Sequence, residues 1–138
     1  MKRKLNCILL IDDDKATNFL HEMVIKRMDC TEKVVSIESG QEALDYLQLK
    51  ENGKNPQPDL IFLDINMPAM NGWEFLEKYN ELDKGEKGRV VLMMLTTSLN
   101  PDDKEGAKDI PAVHGFMNKP LTQKMMKETL EKYFSDWI

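Results

Sequence analysis

The sequence predicts an α/β fold of the (βα)5 kind, a three-layer sandwich with one five-stranded parallel sheet between helices, and two observations carry this. Short apolar runs recur five times along the chain and alternate with segments of three-and-four-residue periodicity, as expected of strands buried on both faces and joined by amphipathic crossover helices. These runs also end on polar residues that share one chemistry. Asp12, Asp13 and Asp14 close the first, Asp64 the third, Thr96 the fourth and Lys119 the fifth. Parallel strands bring their carboxyl ends to one edge, the edge at which such sheets bind ligands.

Residues 5–11 are a nearly continuous apolar run and give the first strand. From Lys15 the period changes to that of a helix, with Asp14 as its N-cap and Ala16, Phe19, Leu20, Met23, Val24 and Met28 as its inward face. Residues 33–37 form a short β-branched second strand, and Ser39-Gly40-Gln41-Glu42 matches a capping box before a helix with Ala43, Leu44 and Leu47 inward. After a polar segment from Asn52 to Pro58, residues 60–63 are the third strand, and Trp73, Phe75, Leu76, Tyr79 and Leu82 mark the third helix beyond a turn from Pro68 to Gly72.

Residues 90–95 are the fourth strand. Asn100-Pro101 then reads as N-cap and first helical residue of a weak fourth helix, interrupted by Gly106 and poor in apolar positions. Residues 113–117 are the fifth strand, and Thr122 caps a last helix with Met125, Met126, Leu130, Tyr133 and Phe134 inward. The 138 residues suit one domain, 1–138 with a core of about 5–134, and no output module is expected beyond it.

A net charge of -5 and a pI near 5.1 exclude a surface built to track nucleic acid or anionic lipid, so protein partners are favoured. The basic start at Met1-Lys2-Arg3-Lys4 is followed by an apolar run too short for a signal peptide, and none approaches the roughly 20 residues of a membrane span. Cys7 and Cys30 show no ligand spacing and are read as reduced thiols. A cytoplasmic location is expected.

Several carboxylates at one sheet edge repel one another unless a cation or protons neutralise them. Mg²⁺ is the natural answer because it takes oxygen ligands, typically one or two carboxylates plus waters, and Asp13 and Asp64 with a backbone carbonyl could hold it while Asp12 acts through a water. An aspartate is also a nucleophile toward phosphorus. Lys119 supplies a positive charge and Thr96 a hydroxyl donor to phosphoryl oxygens at the same place. Asp14 alone needs no more than its capping role, and Phe116 alone reads equally as ordinary strand packing. Met93-Met94 and Met125-Met126 read as core filler. His21 and His114 share no spacing with the acids and read as incidental.

In this order, Ile11-Asp12-Asp13, Leu63-Asp64-Ile65-Asn66-Met67-Pro68 with Gly72, Thr96 and Lys119-Pro120 resemble the receiver domain of two-component response regulators of the chemotaxis single-domain type. The resemblance implies a flavodoxin-like sheet of order 2-1-3-4-5. It implies Asp64 as phosphoacceptor, charged by a histidine kinase or histidine phosphotransfer protein, with Mg²⁺ (or Mn²⁺) on Asp13, Asp64 and the Asn66 carbonyl and with Asp12 in the second shell. Thr96 and Lys119 would contact the phosphoryl group, and Phe116 would be the aromatic that swings inward with Thr96. An effector protein would bind the surface of the fourth helix, fifth strand and fifth helix, and the chain would not be a turnover enzyme. Thr97 is a second candidate phosphoryl contact, standing where the family usually has Ala or Gly. The loops at 50–58 and 83–88 are longer than in the shortest receivers.

Two rivals belong to other classes. Asp12-x-Asp14 fits the haloacid-dehalogenase pattern with Asp12 as nucleophile, although Ala16 stands where that family has Thr or Val and the segment around Asp64 goes unexplained. A receiver-like scaffold that is never phosphorylated is the other.

Overall fold

The computed structural model describes residues 4–48, 58–82, 90–97 and 100–135. Among these residues five strands, β1 (Ile8–Ile11), β2 (Val34–Ile37), β3 (Leu60–Leu63), β4 (Val91–Thr96) and β5 (Gly115–Asn118), alternate with five helices, α1 (Lys15–Met28), α2 (Gly40–Gln48), α3 (Gly72–Asn80), α4 (Pro101–Lys108) and α5 (Gln123–Tyr133). The strands are all parallel in the order β2-β1-β3-β4-β5, as the resemblance implied. The long loops expected at 50–58 and 83–88 fall, apart from Pro58, outside the described residues.

The pleat divides the core in two. Ile8, Leu10, Leu60, Phe62, Met93 and Leu95 face the side covered by α1 and α5, where Ile25, Met126 and Leu130 meet them. Leu9, Ile11, Ile61, Leu63, Leu92 and Met94 face the other side, covered by Leu44, Leu47, Phe75, Leu76, Tyr79 and Ala107. All four residues of β1 and all four of β3 are buried, which is why these runs carry no alternation in the sequence.

Helix starts follow the expected caps. Asp14 accepts from the Ala16 N–H, Asn100 from the Asp102 N–H and Thr122 from the Met125 N–H, and Ser39 accepts from Glu42 N at 3.1 Å. At α3 the full reciprocal box between Asn71 and Glu74 forms.

The two outer strand boundaries differ from expectation for local reasons. The first strand begins at Ile8, because the Asn6 N–H is taken by the Asp59 carboxylate at 2.6 Å; Leu5 makes only an isolated bridge to Thr31. The fifth begins at Gly115, because at His114 the ladder is broken: the Leu92 N–H bonds the imidazole Nδ1 at 3.1 Å. His114 is thus structural, and its carbonyl also accepts from the Tyr133 hydroxyl at 2.7 Å.

The larger correction concerns α1. Phe19, Leu20 and Met23 are exposed (64%, 58% and 37%), and Ala16 is exposed too. The buried stripe is Asn18, His21 and Ile25, with Val24 and Met28 half-buried beside it. Apolar periodicity assigns the inside to apolar residues, but the ground under Asn18 and His21 is the exposed backbone of two strand ends, which a polar side chain satisfies and an apolar one does not.

Candidate functional site

The ends of β1 and β3 bring Asp12 and Asp64 together, both nearly fully buried, with Asp13 exposed beside them. One carboxylate oxygen from each of the three lies within 4.8 Å of the others. Asp12 is oriented by its own turn, accepting from the Asp14 N–H at 3.0 Å. The loop after β3 is fixed by Gly72, whose N–H bonds the Ile65 carbonyl at 2.8 Å. A Cβ at position 72 would lie 2.7 Å from the Asp64 carbonyl oxygen, so the α3 start sits against the acid loop as only glycine permits. Ala69 in this loop adopts φ 64°, in the left-handed region.

Lys119 reaches the acids from the opposite side. Its ammonium donates to Asp12 Oδ2 in a short contact and lies 3.3 Å from Asp64 Oδ1. The Lys119 N–H bonds the Thr96 carbonyl at 2.8 Å, which ties the end of β5 to that of β4. Thr96 is fully buried, and Thr97 is exposed at the bend after it. Asn66 is exposed just past Asp64, and its N–H helps hold the Asp64 carboxylate. Phe116 is half-buried against the α2–α4 side of the core and lines, with Lys104, Ala107, Lys108, Val113, His114 and Gly115, a cavity of about 220 Å³ between α4 and β5.

The electrostatics follow from burial and crowding. Burial, the largest influence, lifts the Asp64 carboxyl above its usual range; Lys119 pulls it back and Asp12 pushes it further up. Burial works against the Lys119 ammonium, but its hydrogen bond and charge contact with Asp12, joined by Asp64, outweigh this and hold its pKa above the ordinary lysine value. The site is therefore two buried carboxylates sharing one ammonium, with an exposed third acid. That leaves an excess of negative charge and an all-oxygen donor set, the chemistry a hard divalent cation selects. Asp12, Asp13 and Asp64 fit such an ion.

The residues expected from the sequence thus gather at this edge, except that Thr97 contributes by position only and Phe116 packs on β5 against the α2–α4 side of the core. Sequence reasoning missed Asn18 and His21. The Asn18 amide Nδ2 donates to the Asp12 carbonyl at 2.8 Å, and His21 Nε2 accepts from the Leu121 N–H at 3.3 Å. Burial and the nearby Lys119 charge hold the His21 imidazole below its ordinary pKa, against the opposing pull of Asp12. One signal was available: Asn18 and His21 fall in helical register with the apolar Ile25, directly after the acid cluster.

The family model of the response regulator receiver domain matches residues 8–131. The probable methanogenesis regulatory protein FilR2 of Methanothrix harundinacea is 31% identical over 132 residues, covering 95% of this chain and 83% of that protein. Among solved structures, a two-component response regulator from Cytophaga hutchinsonii superposes with a TM-score of 0.85 at 33% identity, covering 96% of this chain and 99% of that one. The Mn²⁺-bound form of the response regulator Rcp1 gives a TM-score of 0.73 at 27% identity, covering 96% of each chain. Fold, sequence and the acid edge of the sheet agree, and the chain belongs to the response regulator receiver domain family of two-component signalling.

Proposed function

We propose that this receiver is a phosphoacceptor that takes a phosphoryl group on Asp64 from a phosphohistidine partner and signals through protein contacts. The observation that carries the reading is the meeting of Asp12, Asp13, Asp64 and Lys119 at one strand edge. An Asp64 carboxylate oxygen attacks phosphorus, the P–N bond to the imidazole breaks, and the neutral imidazole leaves with the partner. Asp13, Asp64 and the Asn66 carbonyl would hold Mg²⁺ or Mn²⁺, and Asp12 would assist through a water. When bound, that ion neutralises phosphoryl oxygens as their charge shifts. The Mn²⁺-bound form of Rcp1 supports such a site in a similar protein.

Lys119 and Thr96 act on the product. A phosphoryl group of about -1.5 to -2 charge competes with Asp12 for the Lys119 ammonium and offers Thr96 a charge-assisted bond. Either shift pulls on the ends of β4 and β5, which Lys119 N and Thr96 O join. Beyond them lie Phe116, the cavity and α4, which buries only Ala107, so this is the part of the fold least held against rearrangement. An effector protein binds on the α4, β5 and α5 surface.

The kinase or phosphotransfer partner has a surface of its own. Phe19, Leu20 and Met23 expose apolar area on α1, whose cap is Asp14, so a partner seated there stands next to the acids. Among the described residues no helix is long and apolar enough to cross a membrane. The dehalogenase rival loses its ground, because the family model covers the whole acid constellation and Asp64 lies at its centre.

The test is the intact mass of wild type and Asp64→Asn after incubation with acetyl phosphate, with and without Mg²⁺. A Mg²⁺-dependent phosphoryl adduct on the wild type alone is expected. No adduct under conditions that trap short-lived species would return the chain to the scaffold reading.

A further inference from the structure

The inward face of α1 is polar where a helix under a sheet is ordinarily apolar, and each polar group on it engages backbone beside the acids. Asn18 and His21, three residues apart and each 3% exposed, share one face of the helix. Asn18 Nδ2 donates to the Asp12 carbonyl at the end of β1, and His21 Nε2 accepts from the Leu121 N–H just past β5. Asp12 and Lys119 are joined directly by their side chains. The contacts therefore close a ring: α1, Asp12, Lys119, Leu121 and back to α1. It fixes one acid and one base of the site from behind.

A second observation lies inside the ring. Donation from Nδ2 to a carbonyl sets the orientation of the Asn18 amide, and its Oδ1 is buried with no hydrogen-bond partner among the described residues. The same amide lines a cavity of about 10 Å³ shared with His21, Asp12 and Asp64 and closed by Leu10, Ile11, Phe62 and Leu95. That is room for one water, which has protons to give to Asn18 Oδ1 and to a carboxylate.

We propose that Asn18 and His21 are positioning residues for the acid site, setting Lys119 directly against Asp12 and Asp64, with one buried water between Asn18 and the carboxylates. The proposal rests on the phosphoacceptor reading above for its kinetic consequence, though not for the ring itself. Because Nε2 accepts, the imidazole carries its proton on Nδ1, and no protonation change is required for the role. Losing the Leu121 bond frees the segment that carries Lys119 and leaves the carboxylates where they are.

The experiment compares His21→Leu, which fills the space without an acceptor, with His21→Gln, whose amide oxygen reaches the place of Nε2, in the full chain. At saturating Mg²⁺ the acetyl phosphate reaction of His21→Leu is expected to slow about tenfold, with Mg²⁺ affinity by calorimetry within about twofold of wild type, and His21→Gln to recover to within about threefold. A packing role alone would lower stability without rescue by Gln. A His21→Leu variant that reacts at the wild-type rate, or a Gln variant as slow as Leu, overturns the proposal. If His21→Leu does not fold, His21→Met carries the same comparison.

Two further readings separate this idea from the one beneath it. If wild type takes no phosphoryl group, the phosphoacceptor reading fails, and the ring is judged by the Leu121 amide proton in NMR spectra. An upfield move in His21→Leu that is absent in His21→Gln supports the ring; no move in either overturns it. A high-resolution crystal structure is expected to show a water on Asn18 Oδ1, and a dry cavity there would remove the water from the arrangement.

Discussion

The acids and the lysine of the site come from halves of the sheet that are packed very differently. Asp12 and Asp64 extend β1 and β3, in which every residue is buried and helices cover both faces. Lys119 follows β5, an edge strand whose residues are half-buried or exposed, flanked by a helix with one buried side chain and by a cavity. In the proposed reaction one half would hold the nucleophile still, and the other would carry the charge that responds to the product. β4 is laddered to both, and at the site itself the two meet through the Lys119 contacts with Asp12 and Asp64, its backbone bond to Thr96, and the His21 bond to Leu121.

The largest expected effect tests whether the difference in packing is a difference in energy. Phe62→Ala on β3 should cost about 3–5 kcal/mol in urea unfolding, and Met117→Ala on β5 about 1 kcal/mol. Equal losses would break the comparison. Next in size, Gly72→Ala forces a Cβ to 2.7 Å from the Asp64 carbonyl oxygen and 2.9 Å from the Ile65 Cα. Backbone on both sides cannot yield as a side-chain end would, so destabilisation of about 2 kcal/mol is predicted, together with slower phosphorylation. Wild-type stability of that variant would show that the rigid half is softer than its burial indicates.

A stabilising change should come from the nucleophile itself. With its pKa raised by burial, Asp64 contributes relative stability that is full below the ordinary carboxylate pKa and is lost as pH rises through the raised value. In EDTA, Asp64→Asn should therefore be more stable than wild type near neutral pH, by about 1 kcal/mol, with the gap closing at acid pH. Thermal melts across that range check it, and a gap that widens toward acid has the wrong sign for this account. The smallest effect lies in the loose half. A Cβ at Gly106 meets nothing closer than the Trp73 ring edge at 3.9 Å, so Gly106→Ala should stabilise α4 by about 0.5–1 kcal/mol. If α4 must rearrange to signal, effector binding after phosphorylation should weaken in the same variant.

Much of this was legible in the chain because the relevant physics is local. Caps such as Asp14, Asn100 and Thr122 and the aspartates at run ends stand where the sequence put them, and each apolar run contains a strand, although the first and last strands begin three and two residues later than expected. The edge of the site was legible for the same reason, since parallel strands leave their carboxyl ends together whatever the details of packing. The inward face of α1 was not. Phe19, Leu20 and Met23 satisfy the helical period as well as Asn18, His21 and Ile25 do, and only what lies beneath the helix chooses between two faces about half a turn apart.

The sequence by itself determined the alternation of strands and helices, the caps and the collection of three acids, a threonine and a lysine at one edge, because each depends on neighbours within a turn or a strand. Tertiary structure alone decided that His114 would end a strand by capturing the Leu92 N–H, that Lys119 would sit between Asp12 and Asp64, and that two polar side chains of α1 would be buried. Apart from the Asn18 bond to the Asp12 carbonyl six residues away, these depend on groups brought together from 22 to 107 residues apart, whose donors and acceptors meet only once the sheet has formed.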